Sequence, residues 1–257
     1  MKLMSKFELL ELAQEAVKQA AELIPQTWVS DFNVKSDPND IVTEFDKRIE
    51  DDIVRRLRPS GYEVLGEESH RPEEYKSPVW LLDPIDGTLN FVETHRDYAI
   101  SLALCQDGIP ILGVLLDVVN GRCYTAMRGH GVKLNGEPVS VPPRNDCLER
   151  AVILTDFKEL EALPRLKQLV RESRGHRRYG SAAIEILEVA LGNAGAFVHL
   201  YVHPWDIGAA MLIGHELGCE VSRIDGAPLD VRYPGSIVVA PVKTHDKLVN
   251  RLVISAQ

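Results

Sequence analysis

The stretch Trp80-Leu81-Leu82-Asp83-Pro84-Ile85-Asp86-Gly87-Thr88 decides how this chain is read. Val79-Trp80-Leu81-Leu82 is a continuous apolar run, the pattern of a strand covered on both faces. It delivers Asp83 to the strand's C-terminal end, where open α/β sheets place their sites. Pro84 has a fixed φ and no amide donor, so the chain turns rigidly and Asp86 returns to the same region. Gly87 removes a side chain where a ligand must approach the backbone. Thr88 opens a short helix whose first amides and dipole favour an anion. Metal-competent carboxylates beside an anion cradle make a compact site for phosphoryl chemistry. Asp-Pro and Asp-Gly are also common turn dipeptides, so the reading rests on what accompanies them.

Three further segments bring acids. Gly66-Glu67-Glu68-Ser69 follows the apolar pair Val64-Leu65 and sets two acids at another strand end. Pro204-Trp205-Asp206-Ile207-Gly208 places an acid at the start of an apolar helix, where a capping Asp is the ordinary alternative. Asp46 lies on a helix, one residue from the inward-facing Phe45. Glu67, Asp83, Asp86 and Asp206 together carry four negative charges, the balance for two divalent cations. Without cations they would repel strongly. Mg²⁺ takes oxygen ligands near octahedral geometry, a few carboxylates completed by water and substrate phosphate.

The rest of the chain fits a globular enzyme. It has 257 residues, 45% hydrophobic and 26% charged, with a net charge of −9. So acidic a surface disfavours direct nucleic-acid binding. No apolar run approaches the ~20 residues of a membrane span. The opening MKLMSKFELLELAQEA carries acids within its apolar pattern, so no signal peptide is expected and the cytoplasm is the expected location. Cys105, Cys123, Cys147 and Cys219 form no C-x-x-C pair and read as buried free thiols.

Ser5 and Glu8 make a capping box before a helix that Pro25 stops. A second helix starts near Thr43, with Ile49, Ile53 and Leu57 inward and Pro59 ending it. A loop is expected around residues 35–40. Strands follow at 98–105, 109–119 and 122–127, with turns at Asn120-Gly121 and Asn135-Gly136. Residues 1–145 therefore read as an antiparallel sheet with helices on one side. Residues 146–257 alternate: strand 151–154, helices 158–173 and 181–191, strand 196–202, helix 206–217, strands 219–224 and 236–240, helix 245–254. Such alternation predicts an α/β half, joined through a hinge at 141–145.

Asp83-Pro84-Ile85-Asp86-Gly87-Thr88-Leu89-Asn90-Phe91, with Gly66-Glu67-Glu68 upstream and Pro204-Trp205-Asp206 downstream, resembles the inositol monophosphatase family. Asp40-Ile41-Val42-Thr43-Glu44-Phe45-Asp46 is similar to that family's early D-x-V-T-x-x-D segment, and Tyr179-Gly180-Ser181-Ala182-Ala183 to its substrate wall. The resemblance implies a five-layered αβαβα sandwich. It also implies a lithium-sensitive, Mg²⁺-dependent homodimer acting on a small phosphorylated metabolite. It implies one Mg²⁺ on Glu67, Asp83 and the Ile85 carbonyl, a second on Asp83, Asp86 and Asp206, and a weaker third near Glu67. Thr88 and Asp46 match the pair that orients and deprotonates the attacking water. Glu68 matches an auxiliary acid and Lys35 a loop lysine near the metals. Ile85, Asp86, Gly87, Thr88 and Asp206 would meet the substrate, with Gly180, Ser181 and Ala182 as its wall.

One departure concerns the substrate. Inositol-preferring members often carry a glutamate about seven residues before the last metal Asp. Phe197-Val198-His199-Leu200-Tyr201-Val202-His203 contains no acid, leaving His199 or His203 to replace it. Inositol monophosphate is the leading expectation. Fructose-1,6-bisphosphate, 3′-phosphoadenosine 5′-phosphate and NADP are the alternatives within the same chemistry. A haloacid-dehalogenase phosphatase, with motif D-x-D-G-T, is the rival enzyme, but this chain has D-x-x-D-G-T. A partner-binding protein of the transcription machinery is the rival outside catalysis.

Overall fold

The computed structural model describes residues 4–25, 32–35, 41–70, 76–141 and 147–253. In chain order the elements begin α1 (Lys6–Ala21), β1 (Asn33–Val34), β2 (Ile41–Val42), α2 (Glu44–Leu57), β3 (Glu63–Gly66), β4 (Val79–Asp86) and α3 (Thr88–Glu93). They continue β5 (Ala99–Gln106), β6 (Ile109–Asp117), β7 (Arg122–Met127), β8 (Val132–Leu134), β9 (Glu137–Pro138), β10 (Val152–Leu154), α4 (Phe157–Ala162), α5 (Pro164–Glu172) and β11 (Gly175–Arg177). The chain finishes α6 (Ala182–Ala190), β12 (Ala196–Val202), α7 (Pro204–Glu216), β13 (Cys219–Ser222), β14 (Gly235–Pro241) and α8 (Val242–Val253).

Two sheets organise these elements: seven strands in the order β3-β4-β5-β6-β7-β8-β9, and five in the order β11-β10-β12-β14-β13. Strand alternation explains the layers. On β4, Trp80 and Leu82 join Ile49, Ile53 and Leu57 of α2 and Val17 of α1 in one core. Val79 and Leu81 instead join Ile186 of α6, Ile213 of α7 and Phe197 and Val239 of the second sheet. The far face of the second sheet packs Ile153, Val198 and Val238 against Leu166 and Leu169 of α5 and Leu248 of α8. The result is the five-layered αβαβα sandwich.

The seven-stranded sheet is mixed rather than antiparallel, because β3 pairs with β4 in parallel. The helices on its second face come from later in the chain. The helix expected over 158–173 is two, α4 and α5, broken at Leu163-Pro164, where proline supplies no amide hydrogen. Strand β11 is an addition: Gly175-His176-Arg177 is too short and polar to signal itself. Cys105, Cys123 and Cys219 are buried free thiols, but Cys147 is half-exposed, its thiol 2.8 Å from Glu149 Oε2. The expected loop beyond Lys35, and the expected hinge beyond Val141, lie outside the described residues. No helix among the described residues is long and apolar enough to cross a membrane.

Helix α7 lies close on the first sheet because small residues meet there. A Cβ on Gly208 would stand 3.1 Å from both Ala103 Cβ and Leu81 Cδ1, and one on Gly113 would stand 3.3 Å from Ala209 Cα. This close seat brings the first turn of α7 to the end of β4. Gly208→Val, with three added carbons and no space for them, should cost about 1–3 kcal/mol. A urea titration should show a lower midpoint at unchanged slope; an unchanged midpoint would mean that α7 is not held by this contact.

Candidate active site at the end of strand β4

The four sequence-selected acids come from three elements that end together. Asp83 continues the parity of Val79 and Leu81, so its side chain points to the layer holding α7, whose first turn carries Asp206. Simple alternation would send Asp86 to the opposite face. The pairing of β4 with β5 shifts register between Asp83, opposite Ser101, and Asp86, opposite Ala99. This irregularity turns Asp86 back to the same side. There Asp86 Oδ2 accepts from Ser181 Oγ (2.5 Å) and Ala183 N (2.6 Å), and Oδ1 accepts from Ala182 N (3.3 Å). Asp83 Oδ1 accepts from Ile85 N at 3.0 Å. Glu67 follows β3, and its amide donates to Leu82 O at 3.2 Å, which sets it beside Asp83.

Asp46 serves two structures at once. At the start of α2, Thr43 Oγ1 and Thr43 N both donate to Asp46 Oδ2, at 2.6 and 2.8 Å, closing a capping box. The other oxygen, Oδ1, lies 3.1 Å from Thr88 Oγ1, which is also 3.0 Å from Ile85 O. Asp206 occupies the equivalent place on α7, its Oδ2 accepting from His203 N at 2.8 Å. Glu67, Asp83, Ile85, Asp86, Gly87, Thr88, Gly180 and Asp206 all line one open cavity of about 820 Å³.

Ser181 and Ala182 do not line that cavity, contrary to their expected place on the substrate wall. Ser181 is 1% exposed, and its hydroxyl and the amides after it are spent on Asp86. They position a carboxylate. The cavity is lined there by Gly180 with Tyr179 and Arg178 before it. Gly180 needs its left-handed φ of 91°, and a Cβ there would press on Asn90, whose side chain ties Asp97 O to Tyr179 O.

The electrostatics show a cluster short of positive charge. Burial, then the charges of Glu67, Asp86 and Asp206, pushes Asp83 well above the usual carboxylate range. Burial and the charges of Asp86 and Glu67 do the same to Asp206. Burial raises Asp86 to about 6 despite its hydrogen bonds from Ser181 and Ala183. Asp46 is also raised by burial, against the pull of its Thr43 and Thr88 hydrogen bonds. Burial raises Glu68 to about 7, although Lys35 donates to it at 2.6 Å. The same Lys35 ammonium is 3.0 Å from Glu67. Burial opposes its charge, but Glu67 and Glu68 hold it above the ordinary lysine value.

Sequence reasoning missed Glu50, which is fully buried one turn beyond Asp46 on α2. Its carboxylate accepts from Glu68 N (2.9 Å), Ser69 N (2.8 Å), Ser69 Oγ (2.7 Å) and His70 N (3.1 Å), with His70 Nδ1 at 2.8 Å. It thereby shapes the loop that presents Glu67 and Glu68. Gly66 is required beside it, since a Cβ would collide with the Glu50 carboxylate. An acid at the spacing of Ile49, Ile53 and Leu57 was the available signal.

Burial alone would raise the Glu50 pKa, but these donors hold it below the ordinary glutamate value. Its stabilising effect is therefore present above the unfolded value, about 4.3, and is lost as pH falls through the folded one. Glu50→Gln turns an amide donor toward backbone donors and should cost about 1–3 kcal/mol at neutral pH. Thermal melts should show the gap to wild type closing below about pH 4; a gap independent of pH would contradict this role.

With this geometry, comparison with known proteins is direct. The inositol monophosphatase family model matches residues 6–257. An inositol-1-monophosphatase of Bacillus subtilis is 32% identical over 249 residues, covering 93% of this chain and 94% of its own. The Nus factor SuhB of Pasteurella multocida is 29% identical over 256 residues, with 95% of each chain covered. A solved IMPase/NADP phosphatase complexed with Mg²⁺ and phosphate superposes with a TM-score of 0.84 at 28% identity, covering 93% of this chain and 92% of that one. The chain belongs to the inositol monophosphatase family, whose members are phosphoric monoester hydrolases.

Proposed function

We propose that this chain is a Mg²⁺-dependent phosphatase that hydrolyses a small phosphate monoester with water as the nucleophile. The observation that carries the reading is Thr88 Oγ1, set between Asp46 Oδ1 and Ile85 O at the edge of the carboxylate cluster. A hydroxyl in that position can take a water's hydrogen bond and relay a proton toward Asp46, whose raised pKa suits a base.

The residues fit Mg²⁺. The donors are hard oxygens, Asp83, Asp86 and Asp206 are raised by burial and then by neighbouring negative charge, and Lys35 already places a positive charge against Glu67. Glu67, Asp83 and the Ile85 carbonyl would hold one ion, and Asp83, Asp86 and Asp206 another. When bound, the metal supplies Lewis acidity: it neutralises phosphate charge, acidifies water and stabilises the leaving alkoxide. Glu68, behind Glu67, is suited to carry a proton near neutrality.

The same hydrogen bonds argue against covalent catalysis. Asp83 is pinned by the Ile85 amide and Asp86 by three donors from the start of α6, so neither is free to attack phosphorus. On the substrate side, Gly180, Tyr179, Arg178, His199 and His203 face the cavity. Inositol monophosphate remains the leading ester, and 3′-phosphoadenosine 5′-phosphate, NADP and fructose-1,6-bisphosphate are the alternatives, since histidines replace the expected acid. Family membership supports a homodimer in the cytoplasm. The SuhB relative motivates a second, non-catalytic reading, in which the chain docks on the transcription machinery. The intact carboxylate cluster favours catalysis.

A phosphate-release screen with Mg²⁺ over these esters tests the reading. On the best substrate, Thr88→Ala should lower kcat about 10²–10⁴-fold with little change in KM, because the water contact matters in the transition state. Acid-quenched turnover should leave no hydroxylamine-labile phosphate on the Asp83–Asp86 peptide. A labile label there, or an active Thr88→Ala enzyme, would contradict the mechanism.

A further inference from the structure

Among the described residues, the cluster whose metal-ligating atoms all fall within 4.8 Å of one another is Asp156, Glu159 and His199, not the four carboxylates above. Asp156 and Glu159 flank the start of α4, and His199 lies on β12. All three line the large cavity. Glu159 is 3% exposed; its Oε1 accepts from Leu200 N at 3.3 Å, and its Oε2 has no partner. A carboxylate oxygen buried without a donor is costly. The His199 ring stacks on Phe197 at 6.0 Å, which fixes its plane. Its Nδ1 lies 3.3 Å from Tyr201 N and 3.5 Å from Glu159 Oε1.

We propose that Asp156, Glu159 and His199, on the substrate side of the same cavity, form a second site for a first-row transition cation such as Zn²⁺. Ligands bonded at about 2.0–2.1 Å in a tetrahedron lie about 3.4 Å apart, which matches the His199–Glu159 separation. An imidazole with two carboxylates is a donor set that suits zinc better than magnesium. Three protein ligands leave the fourth position open to the cavity. Tyr201 N, at an exposed bond, turns to water when the Nδ1 lone pair is taken.

The local charge agrees. Asp156, Glu159 and the buried Glu185 carry three negative charges, and Arg178 offsets one, with its Nε 3.1 Å from Asp156 Oδ2 and its NH1 3.4 Å from Glu185 Oε2. A divalent cation offsets the other two. Asp156 also accepts from Phe157 N as the cap of α4, and so is fixed from both sides. Lys158 lines the cavity next to Asp156. A proton on His199, which would make the 3.5 Å contact an ion pair, is the competing explanation, but it leaves the buried Glu159 Oε2 without a partner. The site rests on its own geometry, whether or not the four carboxylates perform phosphoryl chemistry.

The test uses the full chain in excess Mg²⁺, given a small excess of Zn²⁺, gel-filtered, and assayed for retained metal. One zinc per chain is expected, with an imidazole nitrogen in its X-ray absorption spectrum, and Co²⁺ in its place should show the intense visible bands of a four-coordinate ion. His199→Ala and Glu159→Gln should each weaken zinc binding by about 10²-fold or more, while Asp83→Asn retains it. Zinc-free melts report whether the variants fold. The His199 ring ¹⁵N shifts in the wild-type chain give a readout that needs no variant. They should move in step with one added equivalent of zinc. No retained zinc, equal retention in folded His199→Ala, or ring shifts that follow only pH would overturn the site.

Discussion

Carboxylates gathered at the end of one strand repel each other, and the surroundings of β4 are arranged to hold them against that repulsion. The aspartates are pinned through backbone or cap hydrogen bonds rather than left to find their own rotamers, while the Glu67 carboxylate meets Lys35. Asp83 is fixed by the amide two residues on, Asp86 by the start of α6, and Asp206 and Asp46 by the caps of their own helices. Capping ordinarily stabilises a helix. Here it also aims a carboxylate, so helix position and site geometry are one constraint.

The sandwich follows from the need to bring these ends together. Strand β4 is covered by α1 and α2 on one face and by α6 and α7 on the other, so both helical layers reach its C-terminal end. The register shift after Asp83 lets two acids three residues apart share a face, and Glu50 shapes the neighbouring loop from below. Small residues beneath α7 set its distance from the sheet. Elements far apart in sequence thus converge on a few ångströms of cavity wall.

Much of this was legible in the sequence. The apolar run ending at Asp83, the Thr43–Asp46 cap and the acid before the α7 helix each carry a local signal, and the structure brings all of them together. What was not legible depends on tertiary contact. Ser181 and Ala182 look like a substrate wall, but the structure turns their donors inward to Asp86. Arg178 has no local pattern, and its place between Asp156 and Glu185 arises only when β11 and α6 meet α4. The split at Pro164 was readable from proline chemistry; the three-residue β11 was not. Glu50 was visible as an acid within an apolar stripe, although its partners lie on another element.

The central claim is that the acid cluster is destabilising alone and stabilising once Mg²⁺ is bound. Thermal melts of wild type and Asp83→Asn, each with and without Mg²⁺ at neutral pH, test it directly. Asparagine keeps an oxygen for the Ile85 amide and removes a repelling charge. The variant should therefore melt higher than wild type without metal and gain little from Mg²⁺. Wild type should gain about 2.7 kcal/mol at a hundredfold excess over its Kd, a rise of several degrees for a chain of this size. A variant that melts lower than wild type without metal, yet keeps the full Mg²⁺ gain, would contradict the account.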